Sequence, residues 1–355
     1  MKLLLLGGTQ FLGRHLVELA LQRSHEVTVF TRGRRALPEP FASSVTKLVG
    51  DRDPRIAPGL DALQAGSWDA VIDLSGYVPR VVGASASLLA GRVTRYVFVS
   101  SVSVYAKLDR PGLDETAPLA VLEDPDSEEI PKHYGALKAA CEAVVTRELG
   151  SRATHVRPGL IVGPCDPTDR FGYWPARFVH PHLLGNRGPQ AVVPAPPQYA
   201  LQFIDARDLA EFTLGLVERD VSGILNATSP SDQWTFGDLI AACIQAAEAP
   251  PEPLWVAERT LLDFHVEPWM GLPLWIPSTD PEMAGFQRVA TKRAQDAGLR
   301  TRPLAQTVVD TARWLASRSN EGAWKHVLSD SRERQLVSAI RPASLTQTSN
   351  RKAAP

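Results

Sequence analysis

Residues 2–6, Lys2 followed by four leucines, form a short apolar run that stops at Gly7-Gly8-Thr9, and from Phe11 the positions Phe11, Leu12, His15, Leu16, Leu19 and Ala20 recur at helical spacing. This pattern predicts strand, turn, helix. Further apolar runs stand at 27–30, 45–49, 70–74 and 96–99, with helical spacing near 60–64 and over 81–89. Short strands that are apolar at nearly every position have both faces covered, which predicts an α/β fold: a Rossmann-type, doubly wound parallel sheet. The spacing predicts a helix over 131–149, with Pro131 suited to a first turn and Gly150 to a C-cap, and then a sixth strand at 154–157.

Beyond Pro158 the texture changes, because Pro and Gly crowd residues 158–197 and periodicity is lost. Residues 202–204 read as one more core strand and 209–216 as the helix after it, so the chain is expected to return to its first domain. Further helices are expected over 236–247 and 304–315. The expected division is a dinucleotide-binding domain of 1–164 plus about 200–230, a smaller substrate-binding region of 165–199 and 231–335, and a largely disordered tail of 336–355.

Composition narrows the partners. With 38 basic and 39 acidic side chains, the net charge of -1 offers no field for nucleic acid, and none is expected as a partner. No run reaches the roughly 20 apolar residues of a membrane span. Cys141, Cys165 and Cys243 contain no CxxC pair, so neither a disulfide framework nor a zinc site is expected, and a reducing, cytoplasmic location follows. His133, His180 and His182 lack the spacing of a ligand set, so no metal is expected.

The segment Gly7-Gly8-Thr9-Gln10-Phe11-Leu12-Gly13 opens a helix directly after the first strand, where backbone amides and the helix dipole suit a pyrophosphate. Gln10 stands where a third glycine would let the backbone touch the phosphate. After the second strand the chain reads Thr31-Arg32-Gly33-Arg34-Arg35, with no acidic residue to bind a ribose 2′-hydroxyl. Guanidinium groups pair with phosphate, so Thr31, Arg32 and Arg35 favour NADP over NAD. Asp51 is placed to meet an adenine amino group. Tyr134 and Lys138 are one turn apart on one helix, a pairing in which an ammonium lowers a phenol's pKa for acid-base work. In the loop beyond the sixth strand, Arg170 suits a carboxylate or phosphate, with Tyr173 and Trp174 available to cover an apolar or sugar face. Trp255, Trp269 and Trp275 are expected to pack helices of the smaller domain, or else to cap the substrate. The acidic stretch 109–129 is expected over the mouth of the site.

Together, the Gly7 turn, Asp51, the serine segment closing on Val104-Tyr105, Tyr134-Gly135-Ala136-Leu137-Lys138, Arg157-Pro158 to Gly163-Pro164 and Gln202-Phe203-Ile204-Asp205 resemble the extended short-chain dehydrogenase/reductases, in their epimerase/dehydratase branch. The match spans roughly residues 1 to 230. Its Gly-Gly-Thr-Gln-Phe-Leu-Gly variant is similar to the subgroup of chloroplast stem-loop-binding proteins and isoflavone-reductase-like chains. The resemblance implies that Tyr134 exchanges a proton with substrate, Lys138 holds the nicotinamide ribose, and Ser101 orients the reacting oxygen, with Ser103 as the alternative. It also implies that Ser75, Gly76 and Pro158 line the cofactor, and it suggests a homodimer. Two departures limit it. Val102 and Ser103 replace the acidic pair of sugar-nucleotide dehydratases, and Leu160 replaces an asparagine usual in nucleotide-sugar members. Three functions stay open: an oxidoreductase of a small-molecule carbonyl or alcohol, an epimerase with retained cofactor, and a non-catalytic NADP-binding sensor or RNA-associated protein.

Overall fold

The computed structural model describes residues 1–36, 41–185, 187–318, 324–325 and 327–340. Seven strands form one sheet: β1 (Lys2–Leu6), β2 (Glu26–Thr31), β3 (Thr46–Val49), β4 (Trp68–Asp73), β5 (Val93–Val99), β6 (Ala153–Pro158) and β7 (Gly223–Ala227). All are parallel, in the order β7-β6-β5-β4-β1-β2-β3. Leu3 to Leu6 are completely buried, as a central strand covered on both faces requires. The strand order reverses at β1, and loops leaving the strand ends there open a crevice where ligands of such sheets bind.

Helices α1 (Phe11–Gln22), α2 (Pro79–Ala90) and α3 (Ile130–Leu149) follow β1, β4 and β5, and α4 (Tyr173–Val179) and α5 (Ala206–Glu218) precede β7. Leu16 and Val17 of α1 share one core with Leu209 and Phe212 of α5. On the other face, Val82 and Leu89 of α2 meet Cys141 and Val145 of α3. After β7 come α6 (Phe236–Gln245), α7 (Glu258–Asp263), α8 (Lys292–Asp296), α9 (Leu304–Ser317) and α10 (Asp330–Ile340). Of these, α6, α7, α9 and α10 complete a separate core with Phe171, Trp174, Phe178 and Trp275, whereas Ala294 of α8 packs into the core shared by α1 and α5. Among the described residues no helix is long and apolar enough to cross a membrane.

Four expectations need correction. The 202–204 strand does not join the main sheet; Phe203–Asp205 pairs with Leu160–Val162 alone, and the seventh strand is Gly223–Ala227. That strand escaped notice because it opens on Gly223 and carries a polar Asn226 beside Leu225, which leaves only a broken apolar run. The 60–64 stretch makes only a single 3-10 turn at Asp61–Leu63, too short between turns to close an α-helix. The expected tail of 336–355 starts inside α10, whose Glu333 is buried against Arg177 and Arg187; residues 341–355 lie outside the described ones. Tyr173 and Trp174 are fully buried in the second core, where the Trp174 indole donates to the Pro273 carbonyl, so neither is free to cover a substrate.

One buried ion pair fixes α3. Arg157 on β6 donates two hydrogen bonds to Glu142, at 2.9 and 2.6 Å, and a third to the Tyr105 hydroxyl. Arg157 is 1% and Glu142 3% exposed. Removing one partner strands the other charge, so Glu142→Ala is expected to cost about 3–5 kcal/mol, read by urea unfolding. A Glu142→Leu, Arg157→Met double variant should regain most of that loss, because it leaves no unpaired charge.

Candidate active site

The glycine turn is built for close approach. A Cβ on Gly13 would fall 2.5 Å from the Gly8 Cα, so α1 can sit this near β1 only with glycine there. Gln10 is exposed and extended at the N-cap, and its carbonyl, not its side chain, accepts from Gly13 N at 2.9 Å. Phe11 lies at a left-handed φ of 37°. Leu12 is buried in the core, so it can offer a ligand only its backbone.

Gly7, Thr9, Gln10, Thr31, Arg32, Arg35, Asp51 and Ser75 line one crevice of about 510 Å³, with Arg34, Arg52 and Tyr77. Arg32, Arg34 and Arg35 are exposed there. Among the described residues none of the three has a carboxylate within ion-pairing distance. Asp51 accepts from Asp53 N through one oxygen. Gly76 and Pro158 lie at the strand ends close by but are buried.

The serine segment and α3 meet at the ends of β4 and β5. Ser101 Oγ accepts from Ser103 N at 3.1 Å, which turns the chain into a 3-10 segment, Val102–Val104. A Cβ on Gly135 would lie 2.1 Å from the Ser103 carbonyl oxygen, so the glycine after Tyr134 is what lets α3 rest on that segment. Tyr134 is thereby held close enough to Ser101 for the serine hydroxyl to pull the phenol's pKa down. Lys138 is 3% exposed and donates to the carbonyls of Gly76 and Val99, both at 2.7 Å, with Phe98 beneath it.

This differs from the expected division of labour. Burial pushes the Tyr134 phenol up, opposed by the Ser101 hydroxyl and by Arg170, while Lys138 spends its hydrogen bonds on backbone. Burial lowers Lys138 itself to about 8. Arg170 lies over Trp269, which meets Phe286 on the flank of the serine segment, whereas Ser103 contributes its backbone.

Residues 3–227 match the NAD dependent epimerase/dehydratase family over more than half of the chain. The chain belongs to that family. Two relatives are the chloroplast stem-loop binding protein of 41 kDa b of Arabidopsis thaliana, 28% identical over 269 residues, and 2-alkyl-3-oxoalkanoate reductase of Stenotrophomonas maltophilia, 32% identical over 181 residues. The matches cover 71% and 47% of this chain but only 64% and 52% of those proteins. Among solved structures, the UDP-Glc/GlcNAc 4-epimerase of Campylobacter jejuni superposes with a TM-score of 0.66 at 14% identity, over 89% of this chain and 99% of that one. UDP-N-acetylglucosamine 4-epimerase of Methanobrevibacter ruminantium gives 0.63 at 17%, over 90% and 99%. At such identity these two likenesses establish the fold.

For a member of the NAD-dependent epimerase/dehydratase family, two site residues were hidden in the sequence. Arg52 is buried on the crevice floor and donates to both oxygens of Asp73, which also accepts from the Tyr96 hydroxyl at 2.9 Å. The signal was the charged triplet Asp51-Arg52-Asp53 directly after β3. Tyr77, two residues past Ser75, lies 6.4 Å from the Tyr134 ring and 5.3 Å below the Lys138 ammonium.

The lowered Lys138 pKa has a sign that can be measured. Between about pH 8 and roughly pH 10.4 the folded protein has released a proton that the unfolded chain still binds, so stability rises with pH across that window. Chemical denaturation from pH 7 to 10.5 should show this rise in the wild type and its loss in Lys138→Met. Gly135→Ala should destabilise by about 1–3 kcal/mol through forced separation of α3 from the serine segment, checked by the same unfolding curves.

Proposed function

We propose that this family member is an NADP-dependent reductase or dehydrogenase of a small-molecule carbonyl or hydroxyl group. The observation that carries the reading is the convergence of Ser101, Tyr134 and Lys138 beside a crevice whose other end holds three arginines with no carboxylate partner among the described residues. The glycine turn and its close Gly8–Gly13 contact suit a pyrophosphate, and Arg32, Arg34 and Arg35 suit a 2′-phosphate. When bound, the nicotinamide supplies or accepts the hydride.

The chain's own groups handle the proton. Burial keeps the Tyr134 phenol protonated near neutral pH, so it donates to a carbonyl oxygen as that oxygen gains charge, and Ser101 orients the same oxygen. Lys138 ties the Gly76 loop to the end of β5, fixing the floor on which a nicotinamide ribose would rest. The oxoalkanoate reductase among the relatives supports carbonyl chemistry. A catalytic cytoplasmic enzyme is preferred to an RNA-associated protein because the acid-base set is complete and the net charge near zero.

Tyr134→Phe is expected to lower turnover about 10²–10⁴-fold while cofactor affinity holds, measured by NADPH oxidation over a carbonyl panel and by calorimetry. Net NADPH consumption is the expected outcome; isomerised substrate without net consumption would assign an epimerase. Arg32→Ala should weaken NADPH about tenfold and leave NADH unchanged.

A further inference from the structure

We infer that Arg170 is the specificity residue of this site and that the group it recognises is a carboxylate on the substrate. The inference rests on the reductase reading above and adds the substrate class.

Arg170 is held at one end and free at the other. Its Nε donates to Thr168 Oγ1 at 3.2 Å, and that hydroxyl donates to Asp166 Oδ1 at 2.7 Å, reinforced by Thr168 N at 2.9 Å on the same oxygen. Asp166 is 2% exposed, so the chain that aims the guanidinium is anchored in the interior. The guanidinium carbon lies over the Trp269 ring, 5.5 Å from its centre. Arg52, Arg157, Arg177 and Arg207 are each paired with a carboxylate. Arg170, half-buried, has no such partner among the described residues, and its two terminal nitrogens meet no protein acceptor there.

The nearest carboxylate in that chain, Asp166, reaches Arg170 only through the Thr168 hydroxyl, so the terminal nitrogens of a partly desolvated cation are left for a ligand to meet. The free fork is planar and bidentate, matched to a carboxylate. Trp269 in turn meets Phe286, which packs on the cluster of Val102, Val104 and Ala139 beside Ser101 and Lys138, so the guanidinium stands on the flank of the serine segment and the anion it holds is carried by the molecule that Tyr134 protonates. One cation balances one carboxylate, where a diphosphate would require more. The geometry therefore points to an oxo acid or hydroxy acid rather than a nucleotide sugar.

The test compares 3-oxodecanoate with its methyl ester by calorimetry on the NADP⁺-loaded full-length protein, a complex in which no hydride can be transferred. The acid should bind about tenfold to a hundredfold more tightly than the ester. That preference should vanish in Arg170→Met and survive in part in Arg170→Lys, which keeps the charge and loses the fork. Equal affinity for acid and ester, binding of neither, or a preference that persists in Arg170→Met would overturn the assignment. So would a loss of NADP⁺ affinity in Arg170→Met that matches its loss of acid binding, since it would give Arg170 to the cofactor. The reductase reading is tested separately by NADPH oxidation with either probe in wild type and Tyr134→Phe, so failure of one leaves the other readable.

Discussion

The helix that carries Tyr134 and Lys138 is positioned by the Arg157–Glu142 ion pair. Burying two charges costs several kcal/mol apiece before their attraction returns it, so the pair adds little net stability. Its contribution is geometric. Apolar side chains tolerate a slide of a fraction of a turn, whereas the fork of Arg157 has a single carboxylate to meet and a tyrosine hydroxyl beside it. A slide of α3 would move Tyr134 off Ser101 and Lys138 off the Gly76 and Val99 carbonyls together, so placement of the proton donor follows from that of one interior charge.

The middle of the crevice is neutralised internally: Asp73 is occupied by Arg52 and Tyr96, and Asp53 by Arg80, which also holds Glu128. Asp51 accepts from the Asp53 amide. Among the described residues, guanidinium groups with no ion-pair partner stand at two places, past β2 and over Trp269. The uncompensated positive charge therefore sits at the two ends and favours anions there.

Much of this was legible in the sequence because local chemistry dictated it. The apolar runs of β1, β2, β4 and β5, the turn at Gly7 and the i, i+4 spacing of Tyr134 and Lys138 are decided within a few residues. What escaped depended on partners far along the chain. Gly223–Ala227 is a strand only because β6 offers it an edge, and Arg52 is a buried residue only because Asp73 and Tyr96 wait for it. Tyr173 and Trp174 failed for the same reason: their neighbours Phe178, Phe236 and Trp275 come from segments that loop composition does not reveal. The role expected of Lys138 changed because two carbonyls, invisible in sequence, lie nearer its ammonium than the phenol does.

The stretch after Ser101–Tyr105 is joined to residues 285–290 by main-chain bonds at three points, Gly285 N to Leu108 O, Gly112 N to Arg288 O and Ala290 N to Leu113 O, beside the packing of Phe286 and Val289. Peptide groups bond in the same way whatever side chains they carry. The seam is nevertheless exacting at Gly285, where a Cβ would fall 1.9 Å from the Arg110 carbonyl oxygen, and at Phe286 and Val289, which pack with Val104 and Leu113. Away from those positions such a seam tolerates exchange, so the surface beside the serine segment can vary while the segment itself keeps its place.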